Sequence, residues 1–234
     1  MDIKIYQTYF REDQADILDP AFIPFENLKN ENPELRELPL LKKLHEQNKT
    51  FDGYWGMVSW RWKEKTKLDG QTYIDWITEN PGHDVYHVNH FPELPAVNLN
   101  SLTQGEKHIK GLLPYFERLV DLLGKKSEVN VHSKFPAELF ICSHHYVGNK
   151  VFWDDLMSFM DHCLKISAED DILNNFLFNR RSAHRHETII NYSFAVERLP
   201  VLFLHLNKQY KILPYPLQPP SPPRHVPYRL RPKN

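Results

Sequence analysis

Six side chains that could form a site for an anionic ligand end a buried, aromatic stretch in residues 51–66, FDGYWGMVSWRWKEKT. They are Ser59, Trp60, Arg61, Trp62, Lys63 and Lys65. A guanidinium group pairs bidentately with a phosphate, and a tryptophan face can stack on a base or a sugar. Ligands of α/β proteins bind outside the carboxyl ends of the strands, so this pattern predicts a site for an anionic ligand. The alternative is a solvated helix start that tryptophans anchor.

A second candidate site comprises Asp84, His87, Asn89 and His90, in a segment interpreted as a short strand over residues 83–91. Carboxylate and amide oxygens can hold Mg or Mn, so Asp84 and Asn89 are the predicted metal ligands. Asp84 is the one acidic residue of this segment, which argues against a metal that bridges a diphosphate. A zinc site made of His83, His87 and His90 is a further alternative.

Two glutamates are candidates for acid–base chemistry. Glu106 follows Gln104 where a loop enters a predicted helix, and its alternative role is to stabilise a helix N-terminus. Glu197 and Arg198 interrupt an apolar helix, so they are either paired with each other or face a site. His144 and His145, and the basic group in residues 180–186, allow both a structural and a functional interpretation.

The elements that would position these residues alternate between strands and helices, which predicts an α/β domain. Ile3, Ile5 and Tyr9 indicate a first strand that brings Gln7 close to a ligand at its carboxyl end. We expect one domain over residues 1–209, with a mostly parallel sheet flanked by helices. Many prolines follow, so residues 210–234 are predicted to be an extended tail. Further strands are expected at 51–59, 83–91 and 139–147, and loops at 19–27 and 92–103. Helices are expected at 33–48, 105–123, 150–166 and 189–206, and residues 67–82 are interpreted as a turn followed by a helix that Asn80, Pro81 and Gly82 end.

The composition excludes several classes of protein. A formal charge of -1 over 234 residues and a pI of about 6.9 give no support for nucleic acid as a partner. Two cysteines, no signal peptide and no apolar run of membrane-spanning length predict a cytosolic protein. Arg224, Arg229, Arg231 and Lys233 in the tail could touch anionic lipids, although a solvated or docked tail is an equal alternative. No P-loop, GxGxxG, GxSxG or HExxH motif occurs.

Seven blocks, in order over residues 3–206, resemble a family of short glycosyltransferase-like proteins of bacterial capsule and O-antigen clusters. The blocks are IKIYQTYF, IPFENLKNENPELREL, YWGMVSWRWKEKT, DVYHVNHF, TQGEKHIKG, FICSHHYVGNKVFWDDLMSF and FAVERLPVLFL. The resemblance implies a GT-A-like, Rossmann-like domain that binds a nucleotide-sugar at the open end of its sheet. Gly56 to Arg61 and Glu197 to Leu199 match the strand end and the late ER-L element of related families. The Asp-x-Asp metal motif is absent, so dependence on Mn or Mg stays open.

The leading hypothesis is therefore a transferase that moves a sugar from a nucleotide donor to a growing surface polysaccharide at the inner face of the cell membrane. Arg61 and Lys65 would neutralise the leaving diphosphate. Asp84 or Asn89 would position the donor, Glu106 or Glu197 would be the base, and Trp60 or Trp62 would offer a stacking face. Asp84, Glu106 and Glu197 are the three catalytic candidates. Gln7, Ser59, Gln104 and Arg198 complete the predicted donor site. The alternatives are a non-catalytic carbohydrate- or nucleotide-binding module and a histidine-dependent metal hydrolase.

Overall fold

A six-stranded sheet organises the protein, which a computed structural model describes over residues 1–31, 33–184 and 187–217. Its strands, in chain order, are β1 (Ile3–Tyr9), β2 (Ile23–Glu26), β3 (Tyr54–Ser59), β4 (Val85–His87), β5 (Tyr146–Asn149) and, after a separate hairpin, β8 (Ile212–Pro214). Their spatial order is β2-β1-β3-β5-β4-β8. β1 is parallel to β2 and β3, and β4 is parallel to β8, whereas β5 is antiparallel to β3 and β4. The predicted α/β domain with a mostly parallel sheet is confirmed.

The hairpin consists of β6 (Arg181–His184) and β7 (Glu187–Ile190), which form a two-stranded antiparallel sheet. The helices are α1 (Glu12–Ala15), α2 (Leu38–Gln47), α3 (Trp62–Thr66), α4 (Gly70–Glu79), α5 (Leu94–Val97), α6 (Ser101–Glu106), α7 (Leu112–Leu122), α8 (Lys150–Glu169), α9 (Asp171–Asn174), α10 (Tyr192–Val196) and α11 (Leu199–Leu206). Single turns of 3-10 helix cover Pro33–Leu35 and Ala137–Leu139, and a π-helical turn covers Asn175–Asn179.

The central strand β3 is covered on both faces, as its apolar sequence predicts. Trp55 and Met57 point into a large core made mainly by α2, α7, α8, α10 and α11. Val58 points to the other face, where it joins a smaller aromatic core under α3 and α4. Gly56 lies so close to β5 that a Cβ atom there would be 2.3 Å from the Tyr146 carbonyl oxygen. The two helical layers therefore enclose the middle of the sheet, so its polar groups can reach a ligand only beyond the ends of the strands.

Several predicted elements differ from the observed ones because of single residues. The loop expected at residues 19–27 contains β2, and its Pro24 is tolerated because β2 is an edge strand. The helix expected at 105–123 is divided between α6 and α7 at Gly111, whose φ is +95°. The helix expected at 189–206 begins instead as the end of β7 and is then divided between α10 and α11, because Pro200 lies in the first turn of α11 and cannot continue α10.

The start of the predicted tail belongs to the sheet. Ile212–Pro214 forms β8, which pairs with β4 at the edge, and the Tyr215 amide donates a hydrogen bond to the His87 carbonyl. The folded domain therefore extends past the predicted boundary at residue 210. The tail cations Arg224, Arg229, Arg231 and Lys233 lie outside the described residues. Among the helices of the described ranges, none is long and apolar enough to cross a bilayer.

Candidate functional site

A cavity of about 650 Å³ lies at the carboxyl ends of β1 and β3. One wall follows β1 and continues into the segment before α2, with Thr8, Arg11 and Glu37. The opposite wall is the turn from β3 into α3. The floor is the segment before β5, which reaches this edge because β5 is antiparallel to β3. The cavity is therefore at the place where ligands of open α/β sheets bind.

The turn after β3 brings Ser59, Trp60, Arg61 and Lys65 into this cavity. The Ser59 hydroxyl accepts a hydrogen bond from the Arg61 amide over 3.1 Å, which turns the chain from β3 into α3. The Arg61 guanidinium is paired with the Glu64 carboxylate on the same helix. Its full charge is therefore not free for a ligand unless Glu64 moves away.

Lys65 is the cation of this wall whose charge has no acceptor. Within the described part of the chain, its ammonium makes neither a hydrogen bond nor a salt bridge. Burial lowers the pKa of Lys65, and the neighbouring Glu197 and Glu37 carboxylates oppose that effect. An anionic ligand would supply the missing partner and favour the charged ammonium.

Trp62 differs from Trp60, because its indole is fully buried against Phe22 and Tyr73. The prediction that it offers a stacking face is corrected: its ring belongs to the smaller core. Trp60, which lines the cavity, keeps that possibility.

Glu197 lies between α10 and α11 and lines the cavity. Its side chain is 29% exposed and lies 3.2 Å from the Arg198 guanidinium. Burial raises the pKa of Glu197 to about 7, an effect that Arg198 opposes and Glu37 reinforces. A carboxyl group with this pKa can take or give a proton at neutral pH, which is the requirement for a general base or acid.

Arg198 does not face the cavity as predicted. Its guanidinium is buried and donates hydrogen bonds to the carbonyls of Ser101 and Phe194 and to the side chain of Gln104. These bonds fasten α6 to the end of α10. The predicted donor contacts of Arg198 and Gln104 are therefore corrected to internal ones, because buried polar groups need partners.

Glu106 stabilises a helix end. Its carboxylate accepts hydrogen bonds from the amides of Gly111 and Leu113, the latter over 2.7 Å, at the start of α7. Neither Glu106 nor Gln104 lines the cavity. A carboxylate in this position offsets the unpaired amides and the positive end of the helix dipole. The structural alternative for Glu106 is the one that the geometry supports, and its role as a base is corrected.

Gln7 is also an internal residue. Its side-chain amide donates to the carbonyls of Ser59 and Trp60, and its oxygen accepts from the Asp19 amide over 2.7 Å. It is 1% exposed, so a ligand cannot reach it as predicted. The next residue, Thr8, lines the cavity instead. Gln7 acts on the site through the β3–α3 turn that it holds.

Asp84 lies at the amino end of β4, away from the cavity. Its carboxylate accepts hydrogen bonds from the Asn149 side chain and the Lys211 amide, each over 2.8 Å. Asn89 follows the other end of β4 and closes a local turn with Phe91. Five residues of extended chain separate the two by about 16 Å, which is too far for one metal ion. The predicted metal pair does not fit, and the predicted catalytic role of Asp84 is corrected.

The histidines of the zinc alternative have separate partners. His87 is buried and its Nε2 lies 2.7 Å from the Glu138 carbonyl oxygen, while His83 lies near Asn80 at the amino end of β4. His90 lies near Ser143 and His145 on the cavity side. In residues 1–31, 33–184 and 187–217, no group of three or more histidine, cysteine or acidic residues could hold a metal ion.

The basic group in residues 180–186 is connected to the cavity by one salt bridge. Arg181 forms a salt bridge of 2.8 Å with Glu34, which lines the cavity. Arg185 and His186 lie outside the described residues.

Glu37 is a cavity residue that sequence reasoning missed. It lines the cavity ahead of α2 and, among the described residues, its carboxylate makes no hydrogen bond or salt bridge. Its electrostatic influence reaches Lys65 and Glu197. The available signal was the charged sequence before α2, PELRELP, which we interpreted only as a helix start.

The comparisons with known proteins found a similar structure but no similar sequence. No protein family and no curated protein matches the sequence. A search of solved structures found the apo structure of WbbM, described as a bifunctional glycosyltransferase, with a TM-score of 0.48 and 12% sequence identity. The match covers 93% of this chain and 45% of that one, so the chain spans less than half the length of the matched structure.

The arrangement offers two kinds of chemistry in one cavity. Lys65, together with Arg61, can attract an anion, and Glu197 can exchange a proton near neutral pH. Both groups stand at the carboxyl edge of the sheet. Such a cavity can bind a phosphorylated ligand and activate a hydroxyl group beside it.

Proposed function

We propose that the protein is a glycosyltransferase that transfers a sugar from a nucleotide-sugar donor to a hydroxyl of a bacterial surface polysaccharide. The observation that carries the proposal is the meeting of Arg61, Lys65 and Glu197 in one cavity at the carboxyl edge of the sheet. The family resemblance of the sequence blocks around Arg61 and Glu197 supports the same conclusion. The GT-A-like type of the domain and its action at the inner face of the membrane are parts of this proposal.

In this function the Lys65 ammonium neutralises the diphosphate that leaves when the glycosidic bond forms. A fixed positive charge in a partly buried site stabilises negative charge that develops in the transition state. Arg61 joins it when a phosphate competes with Glu64 for the guanidinium. Trp60 lines the same wall and offers a face for the base or the sugar.

Glu197 is the general base that takes the proton of the acceptor hydroxyl. Its raised pKa, about 7, makes it a stronger base than an ordinary carboxylate while leaving it ionised above neutral pH. The proposal for Glu197 is supported by its position, since among Asp84, Glu106 and Glu197 it is the residue that lines the cavity.

Binding of donors tests the proposal directly. Thermal shifts should be recorded with UDP-, GDP-, CMP- and dTDP-sugars, each with and without Mn. We expect one nucleotide class to raise the melting temperature, and Lys65→Ala to abolish that rise. Lys63→Ala is the matched control, because Lys63 lies on the same helix but is exposed and paired with Asp69. No shift with any donor, or an equal loss in both variants, would contradict the proposal.

A non-catalytic binding module is the second candidate. The observation that favours it is that Asp84 and Glu106, two of the three predicted catalytic residues, have structural partners. The two functions differ in turnover. Slow hydrolysis of a bound donor, lost in Glu197→Gln, identifies a transferase, whereas a donor that binds and stays intact identifies a binding module.

A further inference from the structure

His144 is a buried residue in the floor of the cavity that the proposed mechanism does not use. It lies two residues before β5, and it is 6% exposed. Its neighbours in the floor are Ser143 and His145. A polar side chain that is buried in a ligand cavity needs partners for its hydrogen-bonding atoms. Each of the two ring nitrogens therefore needs a partner.

One ring nitrogen of His144 has a fixed internal partner. Nδ1 lies 3.0 Å from the phenol oxygen of Tyr146. Tyr146 is fully buried, stacks on Trp153 with ring centroids 5.3 Å apart, and packs edge-on against Phe152. This packing fixes the phenol, and the hydrogen bond fixes the imidazole in turn. The bond that one ring nitrogen makes sets the orientation and the role of the other.

The other ring nitrogen, Nε2, is left for a ligand. Within the residues that the structure describes, no group forms a hydrogen bond with it. Nε2 of His144 is not fully buried, unlike the two ring nitrogens of His145, which are buried and have no partner among the described residues. His144 thus has one nitrogen bound to Tyr146 and one that only the cavity can satisfy.

The surroundings of His144 define the chemistry of that ligand group. Burial lowers the pKa of His144, so the ring is neutral at pH 7 and attracts an anion less than Lys65 does. A neutral imidazole nitrogen pairs well with a hydroxyl, which can both donate and accept. Ser143, Glu37 and Glu197 line the same cavity and can also form hydrogen bonds with a hydroxyl group. This part of the cavity suits a sugar, while the cations of the β3–α3 turn suit phosphate.

We propose that His144, positioned by the buried Tyr146 phenol, binds a hydroxyl of the transferred sugar and so contributes to sugar specificity. This inference rests on the proposed function. His144 is the residue that touches the ligand, and Tyr146 is a positioning residue.

The test compares two Tyr→Phe variants, each of which loses one buried phenol hydroxyl. In Tyr146→Phe the partner of His144 is removed, while the stacked ring is retained. Tyr115→Phe is the matched control, because its hydroxyl lies 2.9 Å from Ser167 in the core and does not line the cavity. Binding is measured by calorimetry with the UDP-, GDP-, CMP- and dTDP-sugars and with free UDP, GDP, CMP and dTDP.

We expect Tyr146→Phe and His144→Ala to weaken binding of the nucleotide-sugar about tenfold, the effect of one hydrogen bond, and to leave the free nucleotide unaffected. Tyr115→Phe should change neither. Equal weakening of both ligands, or an unchanged affinity for the sugar, would overturn the role of His144 alone. A wild-type protein that binds none of the donors would overturn the proposed function, and with it this inference.

Discussion

Polar residues lie beyond both ends of the strands, at the amino end of β4 and at the carboxyl ends of β1 and β3. The two sets differ in one respect. At the amino end, Asp84 has a hydrogen-bond partner for each carboxylate oxygen. Beyond the carboxyl ends of β1 and β3, Lys65 and Glu37 line the cavity, and their charged groups have no hydrogen-bond partner among the described residues. Both edges carry charged residues, so charge alone does not identify a site. The distinction is whether the protein itself satisfies the charged group.

The largest effect is expected for a substitution in the cavity, at Glu197. Glu197→Gln removes the proposed base, so kcat should fall about 100- to 10,000-fold with little change in donor affinity. In the wild type the rate should rise as the pH rises through about 7, because Glu197 must lose its proton to act as a base. The measurement is the pH dependence of sugar transfer or donor hydrolysis. A rate that is independent of pH between 6 and 8 would remove Glu197 from the mechanism.

A smaller effect, on stability and not on binding, is expected for Asp84 at the amino end of β4. Asp84→Ala leaves the Asn149 amide and the Lys211 amide without their acceptor, which should cost about 2–3 kcal/mol of the free energy of unfolding. Urea denaturation measures this loss, and donor affinity of the folded variant should equal that of the wild type. Reduced donor affinity at unchanged stability would show that the amino end of β4 also takes part in binding, and that the two ends of the sheet do not differ in function.

The smallest effect is expected for Glu106→Ala. Loss of the carboxylate exposes the unpaired amides at the start of α7 and should destabilise the fold by about 1 kcal/mol. The kinetic constants should not change, because Glu106 lies outside the cavity. A loss of kcat comparable to that of Glu197→Gln would restore Glu106 as a catalytic candidate.

The sequence predicted the fold class and the cationic side of the cavity because those features depend on short segments. The apolar run of β3 and the cations that follow it are adjacent in the chain, so their relation in space follows from one strand and one turn. Glu197 was found as one of two glutamates because a charge in an apolar helix needs either a partner or a site.

The rest of the site depends on where elements begin and end. Asp84 and Asn89 were grouped as one site because they are close in sequence, but β4 covers Val85–His87 and therefore places them beyond its opposite ends. Glu106 looked like the start of a long helix, but it is the last residue of α6, and its carboxylate caps α7, which begins after Gly111. Glu37 and His144 line the same cavity although more than a hundred residues separate them in the chain. No local sequence pattern predicts that they lie near each other.

The antiparallel insertion of β5 also bears on how the chain folds during synthesis. The first three strands can pair as soon as they leave the ribosome, because β1 bonds to both β2 and β3. β4 is made next, but its neighbours in the sheet are β5 and β8, so it has no partner until much more of the chain has been translated. An unpaired strand is exposed to wrong contacts in the meantime. Nascent chains that stop before β5 should therefore be the ones that chaperones retain.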